Sequence, residues 1–146
     1  MMLFKPELCE KIRCGKKTQT RRLVHQDDKK GVRSTSCNTQ KITAIYRNSR
    51  RTWVVDKCYA IQPGRGKKAI GRFRLLNIRR EHLQDISARD AINEGVELSG
   101  LQDYPAYAFS DNVLRRFAEL WDSINTKPGT RWQDNPEVWV LEFEVI

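Results

Sequence analysis

The chain is poor in the residues that build metal centres. It has four cysteines and two histidines in 146 residues. Cys9, Cys14, Cys37 and Cys58 form no C-x-x-C pair, and only His25 and His82 are there to help them. Zinc sites bring their ligands in close pairs, so no metal is expected, and no cofactor either. The cysteines read as reduced thiols of a cytosolic chain, with Cys9 and Cys58 in core positions. No run of about 18 apolar residues exists, which excludes a transmembrane helix on the usual criterion. Met1 to Glu10 contains no signal-peptide h-region, because Lys5 and Glu7 interrupt it. The expected home is the cytoplasm, with no membrane partner and with a monomer assumed.

Acid is the other scarcity, and it is local. Residues 1–80 carry 22 Lys+Arg against 5 Asp+Glu, a net of +17. Residues 81–146 carry 5 against 13, a net of −8. Either the halves neutralise each other in the fold, or a basic face meets phosphates. An excess of nine positive charges survives in both cases, which favours a polyanionic partner.

Hydrophobic residues make up 39% of the chain, enough for one domain, 1–146, with a real core. Pro6 to Cys14 reads as a helix, with Pro6 at its first position and Gly15 as the stop. Lys16 to Val24 reads as a strand. The segment from about 25 to 51 is polar and basic and reads as an insertion, with Asp27-Asp28-Lys29-Lys30-Gly31 as a turn and Ile42, Ala44 and Tyr46 alternating. Trp53 to Gln62 reads as one strand region, Pro63 to Lys68 as a tight basic turn, and Ala69 to Arg79 as the returning strand. Ser87 caps a short helix that ends at Gly95. Ser110 to Ile124 has the helical period in Val113, Leu114, Phe117, Leu120, Trp121 and Ile124. Trp121 belongs to that apolar stripe and reads as core. Val138 to Ile146 closes the chain as a strand. The pattern is α+β, a small mixed and partly closed β-barrel with flanking helices.

The densest functional signal is Gly15-Lys16-Lys17-Thr18-Gln19-Thr20-Arg21-Arg22, with four cations and two hydroxyls in eight residues. Lys17 and Thr20 are a candidate reactive pair. A reaction that uses both needs a nucleophile and a base to activate it. Thr20 supplies the hydroxyl. Lys17 serves as base only if burial or neighbouring cations lower its pKa. On a regular strand the two would face opposite sides, so Lys17 must lie in a turn or at a bulge. The cations expected to meet phosphates are Lys16, Arg21, Arg22, Arg65, Lys67, Lys68 and Arg72.

The octapeptide resembles the G-x-K-T-x-T-x-R signature of ASCH domains, which are PUA-like barrels. Gln62-Pro63-Gly64-Arg65-Gly66 and Ala69-Ile70-Gly71-Arg72 resemble the family's mid-barrel hairpin. Glu94-Gly95 resembles its acidic-glycine pair. Trp132, Asn135-Pro136 and Val138 to Phe143 resemble its closing strand. These blocks keep the family's order over nearly the whole chain, while the 25–51 segment departs from it. The resemblance implies a cleft for a nucleotide or nucleoside. Some similar proteins are amidohydrolases that deacylate N4-acetylcytidine with a lysine, a threonine and a glutamate. By motif position these fall on Lys17, Thr20 and Glu94. Two readings stand open: a nucleic-acid-binding module, RNA-related or for a modified nucleotide, and a metal-independent amidohydrolase. A ribonuclease ranks below both, since no metal-binding carboxylate cluster is visible.

Overall fold

Val138 and Val140 turn to one side of the last strand, and Trp139, Leu141 and Phe143 to the other; all five are buried. A strand apolar on both faces belongs in the middle of a sheet. The computed structural model, which describes residues 2–146, places it there. The strand, β8 (Glu137–Val145), lies between β7 (Gly71–His82) and β2 (Gln19–Leu23). Beyond β7 come β6 (Cys58–Gln62) and the two-residue β1 (Met2–Leu3), giving the order β1-β6-β7-β8-β2. All pairings are antiparallel except β1 on β6. The sheet curls into a half-barrel, and the α+β expectation stands.

Each face of β8 organises one core. Trp139, Leu141 and Phe143 pack with Phe4, Leu8, Ile12, Ile45, Trp53 and Phe73. This core fills the space under α1 (Pro6–Arg13). Val138 and Val140 pack with Ala91 of α2 (Ala88–Asn93) and with Val113, Phe117 and Trp121 of α3 (Phe109–Ile124). Each such buried side chain contributes about 1.5–3 kcal/mol relative to exposure. Cys9 is buried, as expected, while Cys58 is only half-buried.

The 25–51 segment holds a strand where Ile42, Ala44 and Tyr46 alternate, and more besides. It folds into β3 (Asp28–Ser34), β4 (Gln40–Arg47) and the start of β5 (Arg50–Val54), a separate three-stranded antiparallel sheet. The expected turn at 27–31 lies upstream, where the Asp28 N–H bonds the His25 carbonyl at 3.0 Å. Lys29 to Gly31 are extended and paired. The strand read over 53–62 is two strands, because Asp56, at φ 68, turns the chain between β5 and β6. The meander joins the main sheet through Asp28. Its carboxylate accepts from Arg47 and from the Trp139 indole N–H at 2.8 Å.

Candidate functional site

The octapeptide begins in a helix stop. Gly15 takes φ +79, and its N–H bonds the Ile12 carbonyl while the Lys16 N–H reaches back to Lys11. This is the 5→2 and 6→1 pattern of a Schellman motif, which needs the left-handed residue that glycine supplies. The Lys17 N–H also bonds the Lys11 carbonyl, so Lys16 and Lys17 belong to the turn and not to the strand. The Thr18 N–H bonds the Asn93 carbonyl at 2.8 Å, stitching the turn to the end of α2. β2 starts only at Gln19. The parity conflict between Lys17 and Thr20 disappears, because Lys17 is outside the strand, and both line the same cavity.

Glu94 reaches that cavity from the other direction. Ser87 accepts from the Asp90 N–H and caps α2, and Glu94 sits at the helix's C-terminal boundary before Gly95 turns the chain at φ +95. Lys17 Nζ donates to Glu94 Oε2 at 2.8 Å, to the Glu94 carbonyl at 2.7 Å and to the Gln19 carbonyl at 2.7 Å. Its three N–H groups are thereby all used. Lys17 and Glu94 are both buried, at 2% and 5% exposure. Burial pushes the Lys17 pKa down, Glu94 opposes that, and Arg22 and Arg21 add to the lowering. Thr20 is buried in the cavity wall, and among the described residues its hydroxyl has no protein hydrogen-bond partner.

Arg21 corrects one expectation. It is not a phosphate contact on the surface; its side chain is fully buried and faces Glu94, Glu81 and Asp90. Arg79 draws Glu81, Asp90 and Glu142 into the same cluster. Gln19 links it further, to Asp90 and Glu142. This is where the basic and acidic halves of the sequence neutralise each other, and no motif singles out Arg79, Glu81, Asp90 or Glu142. Two features hint at them: the paired excesses of charge, and a carboxylate at the third position of a capped helix. Buried charge on β2 demands partners, which β7, β8 and α2 supply.

Arg22, an expected phosphate contact, does line the cavity, as do Lys5 and Arg47. It stacks over the Phe4 ring, 5.1 Å from its centroid, and donates to the Leu3 carbonyl at 2.8 Å. Its Nε is buried with no partner. The remaining expected phosphate contacts lie elsewhere. Lys16 is exposed on the turn after α1, Arg65, Lys67 and Lys68 at the β6–β7 turn, and Arg72 at the start of β7, none of them lining the cavity.

The cavity has a volume of about 670 Å³. Its walls are largely apolar: Leu3, Phe4, Trp53, Phe117, Leu120 and Trp121. Trp121 is thus both core and wall. Size and lining suit a small ligand held by a few placed polar groups.

No protein-family model matches the chain, and no curated protein matches it. Solved structures do. An ASCH domain from Lactobacillus crispatus JV V101 superposes with a TM-score of 0.50 at 13% identity, covering 94% of this chain and 69% of that one. A DUF984 protein from Enterococcus faecalis V583 gives 0.50 at 14% identity, covering 95% and 69%. The fold is ASCH-like. Identity this low speaks for the fold alone. Within the ASCH-like frame, the octapeptide supplies the helix stop, the turn and β2.

Proposed function

We propose that the cavity binds an N4-acylated cytosine nucleoside and hydrolyses its exocyclic amide without a metal. The observation that carries this reading is the buried Lys17–Glu94 pair beside a partnerless Thr20 hydroxyl on one largely apolar cavity wall. Lys17 is already paired with Glu94, and Arg21 with Glu94, Glu81 and Asp90, so the cavity favours a planar, uncharged ligand over a polyphosphate.

The chemistry runs from the residues. Lys17 passes a proton to Glu94 across their 2.8 Å contact, and its free amine takes the Thr20 proton as Oγ1 attacks the acyl carbon. Glu94 protonates the leaving exocyclic nitrogen as the C–N bond breaks, and Lys17 keeps the threonine proton. Water then attacks the threonine ester, its proton passing to the Glu94 carboxylate. Lys17 returns the proton to Thr20, Glu94 returns the water proton to Lys17, and the acyl group departs as a carboxylic acid.

The test is incubation of the pure protein with N4-acetylcytidine in the presence of a chelator, following cytidine by chromatography. Single-stranded RNA is offered in a parallel reaction. Release of cytidine that Thr20→Val abolishes supports the reading. A folded protein that binds the nucleoside and never releases cytidine overturns it, and RNA cleavage would replace it with a nuclease.

A further inference from the structure

We infer that the outer face of the β3–β4–β5 meander is a binding surface for a single-stranded polynucleotide, separate from the cavity and independent of what the cavity does. A large share of the surplus positive charge lies here. Lys29, Lys30, Arg33, Lys41, Arg50 and Arg51 are all exposed, and among the described residues none forms an ion pair. The sole acid between 28 and 54 is Asp28, and it is already engaged by Arg47 and Trp139.

The register places some of these cations around an aromatic ring. Lys29 pairs with Tyr46, and Tyr46 pairs with Arg51. Directly paired residues share a face. Ile45 and Trp53 point into the core; Tyr46 follows Ile45, and the register shift between Ile45 and Tyr46 turns Arg51 away from the side of Trp53, so the Lys29–Tyr46–Arg51 rung faces outward. Gly31 makes room for the ring: a Cβ there would stand 3.3 Å from Tyr46 Cε2. The Tyr46 ring therefore lies across a bare stretch of backbone, with a cation on the strand to either side. A base stacked on it would place its flanking phosphates within reach of Lys29 and Arg51.

Edge protection is the competing explanation, since β3 and β5 are the edges of their sheet. It requires charge but not charge of one sign. Here Arg33 and Lys41 stand directly opposite each other, a like-charge pairing that destabilises a hairpin. A mixed-sign edge would protect as well without that cost. A duplex would offer phosphates but no free base face, and an acidic peptide would offer charge with nothing to stack, so the rung fits a single strand.

The experiment is fluorescence anisotropy with labelled decauridylate and decathymidylate across a salt series. Tight binding to either, with Lys29→Gln and Arg51→Gln each lowering the log–log salt slope by about one, supports the surface. Tyr46→Leu should weaken binding roughly tenfold at unchanged slope, the effect of one lost stack. Arg89→Gln, an exposed charge on α2, is the control and should bind as wild type. Circular dichroism confirms folding of each variant, and the two exposed glutamine variants keep the test decisive if Tyr46→Leu unfolds. The inference is overturned if neither oligomer binds, if Lys29→Gln and Arg51→Gln bind as wild type, or if a duplex binds equally and Tyr46→Leu changes nothing.

Discussion

Lys17 and Glu94, 77 positions apart, meet through two contacts: the ammonium bonds the Glu94 carboxylate at 2.8 Å and the Glu94 main-chain carbonyl at 2.7 Å. The second contact ties the lysine to the backbone where α2 ends. The pair is thus a structural joint between the helix stop after α1 and the end of α2, whatever chemistry it supports. Glu94 also holds Arg21, so one carboxylate compensates two buried cations.

Glu94→Gln should therefore cost more stability than Lys17→Met. The first leaves Lys17 and Arg21 without that shared anion, and breaking a buried pair typically costs about 3–5 kcal/mol. The second leaves Glu94 still bound by Arg21. The double variant should recover part of the loss, because it removes one of the stranded cations. Urea denaturation of the four proteins measures this. A Glu94→Gln protein as stable as wild type would contradict the joint.

Thr20→Val should separate stability from turnover. The hydroxyl has no protein partner to lose, and valine keeps the shape, so the unfolding midpoint should barely move. Deacylation of N4-acetylcytidine should fall by about a hundredfold or more. Thr20→Ser should retain activity. Equal activity in the valine variant would remove Thr20 from the chemistry.

Stability should rise and activity should fall with pH over the range set by Lys17. Burial lowers its pKa in the folded protein, while the unfolded chain keeps the ordinary value of about 10.4. Between the two the unfolded state binds more protons, so stability increases with pH in that window. The mechanism needs the one proton shared by Lys17 and Glu94, so kcat/KM should fall on a limb that lies below about pH 10.4, as Lys17 loses that proton to solvent, and report the folded pKa. Lys17→Met should erase both the kinetic limb and the matching rise in stability.

Much of this fold is legible in the sequence because its signals are local. Pro6 and Gly15 bracket α1, Ser87 caps α2, and the period of Val113 to Trp121 marks α3. The alternation of β8 is equally clear. Of the meander, the alternation of Ile42, Ala44 and Tyr46 marks β4, but β3 is hidden because it is polar: Lys29 to Gly31 look like a turn, and only pairing with β4 makes them a strand. Propensity does not report pairing. In the site, Lys17 and Thr20 stand out by composition and Glu94 by resemblance. Arg21 looks like a surface cation because a sequence shows a charge but not its partners, and those partners come from β7 and α2.

Acid should loosen the meander first. Burial raises the Asp28 pKa, but hydrogen bonds from Arg47, the His25 N–H and Trp139 outweigh it and hold the carboxyl at about 2, below its usual 3.8. A depressed carboxylate stabilises the fold above its unfolded pKa, and that contribution is lost as pH falls through the folded value. The window is therefore roughly pH 4 to 2, and the contribution is about 2 kcal/mol, since each tenfold change in proton affinity is worth about 1.36 kcal/mol. Asp28→Asn should lose this pH dependence and weaken the tie to Trp139, read as faster amide exchange in β3 and β4 relative to β8. Uniform exchange in the variant would show that Asp28 does not hold the meander.

Two glycines with positive φ offer a matched comparison. Gly15 sits at +79 with nothing within 4 Å of a hypothetical Cβ, while Gly95 sits at +95 with Lys17 Cβ at 3.3 Å and Lys17 Cδ and Lys11 Cδ at 3.4 Å. Alanine at Gly15 meets only backbone strain, about 1 kcal/mol. Alanine at Gly95 adds a steric push on the lysine that holds Glu94, and its cost should exceed that of Gly15→Ala. The difference should also appear in function: Gly95→Ala should displace Lys17 and lower deacylation, whereas Gly15→Ala should keep most of it. Thermal melts give the first comparison and cytidine release the second. Equal losses at both positions would mean that strain alone matters, and that Lys17 has room to move without consequence.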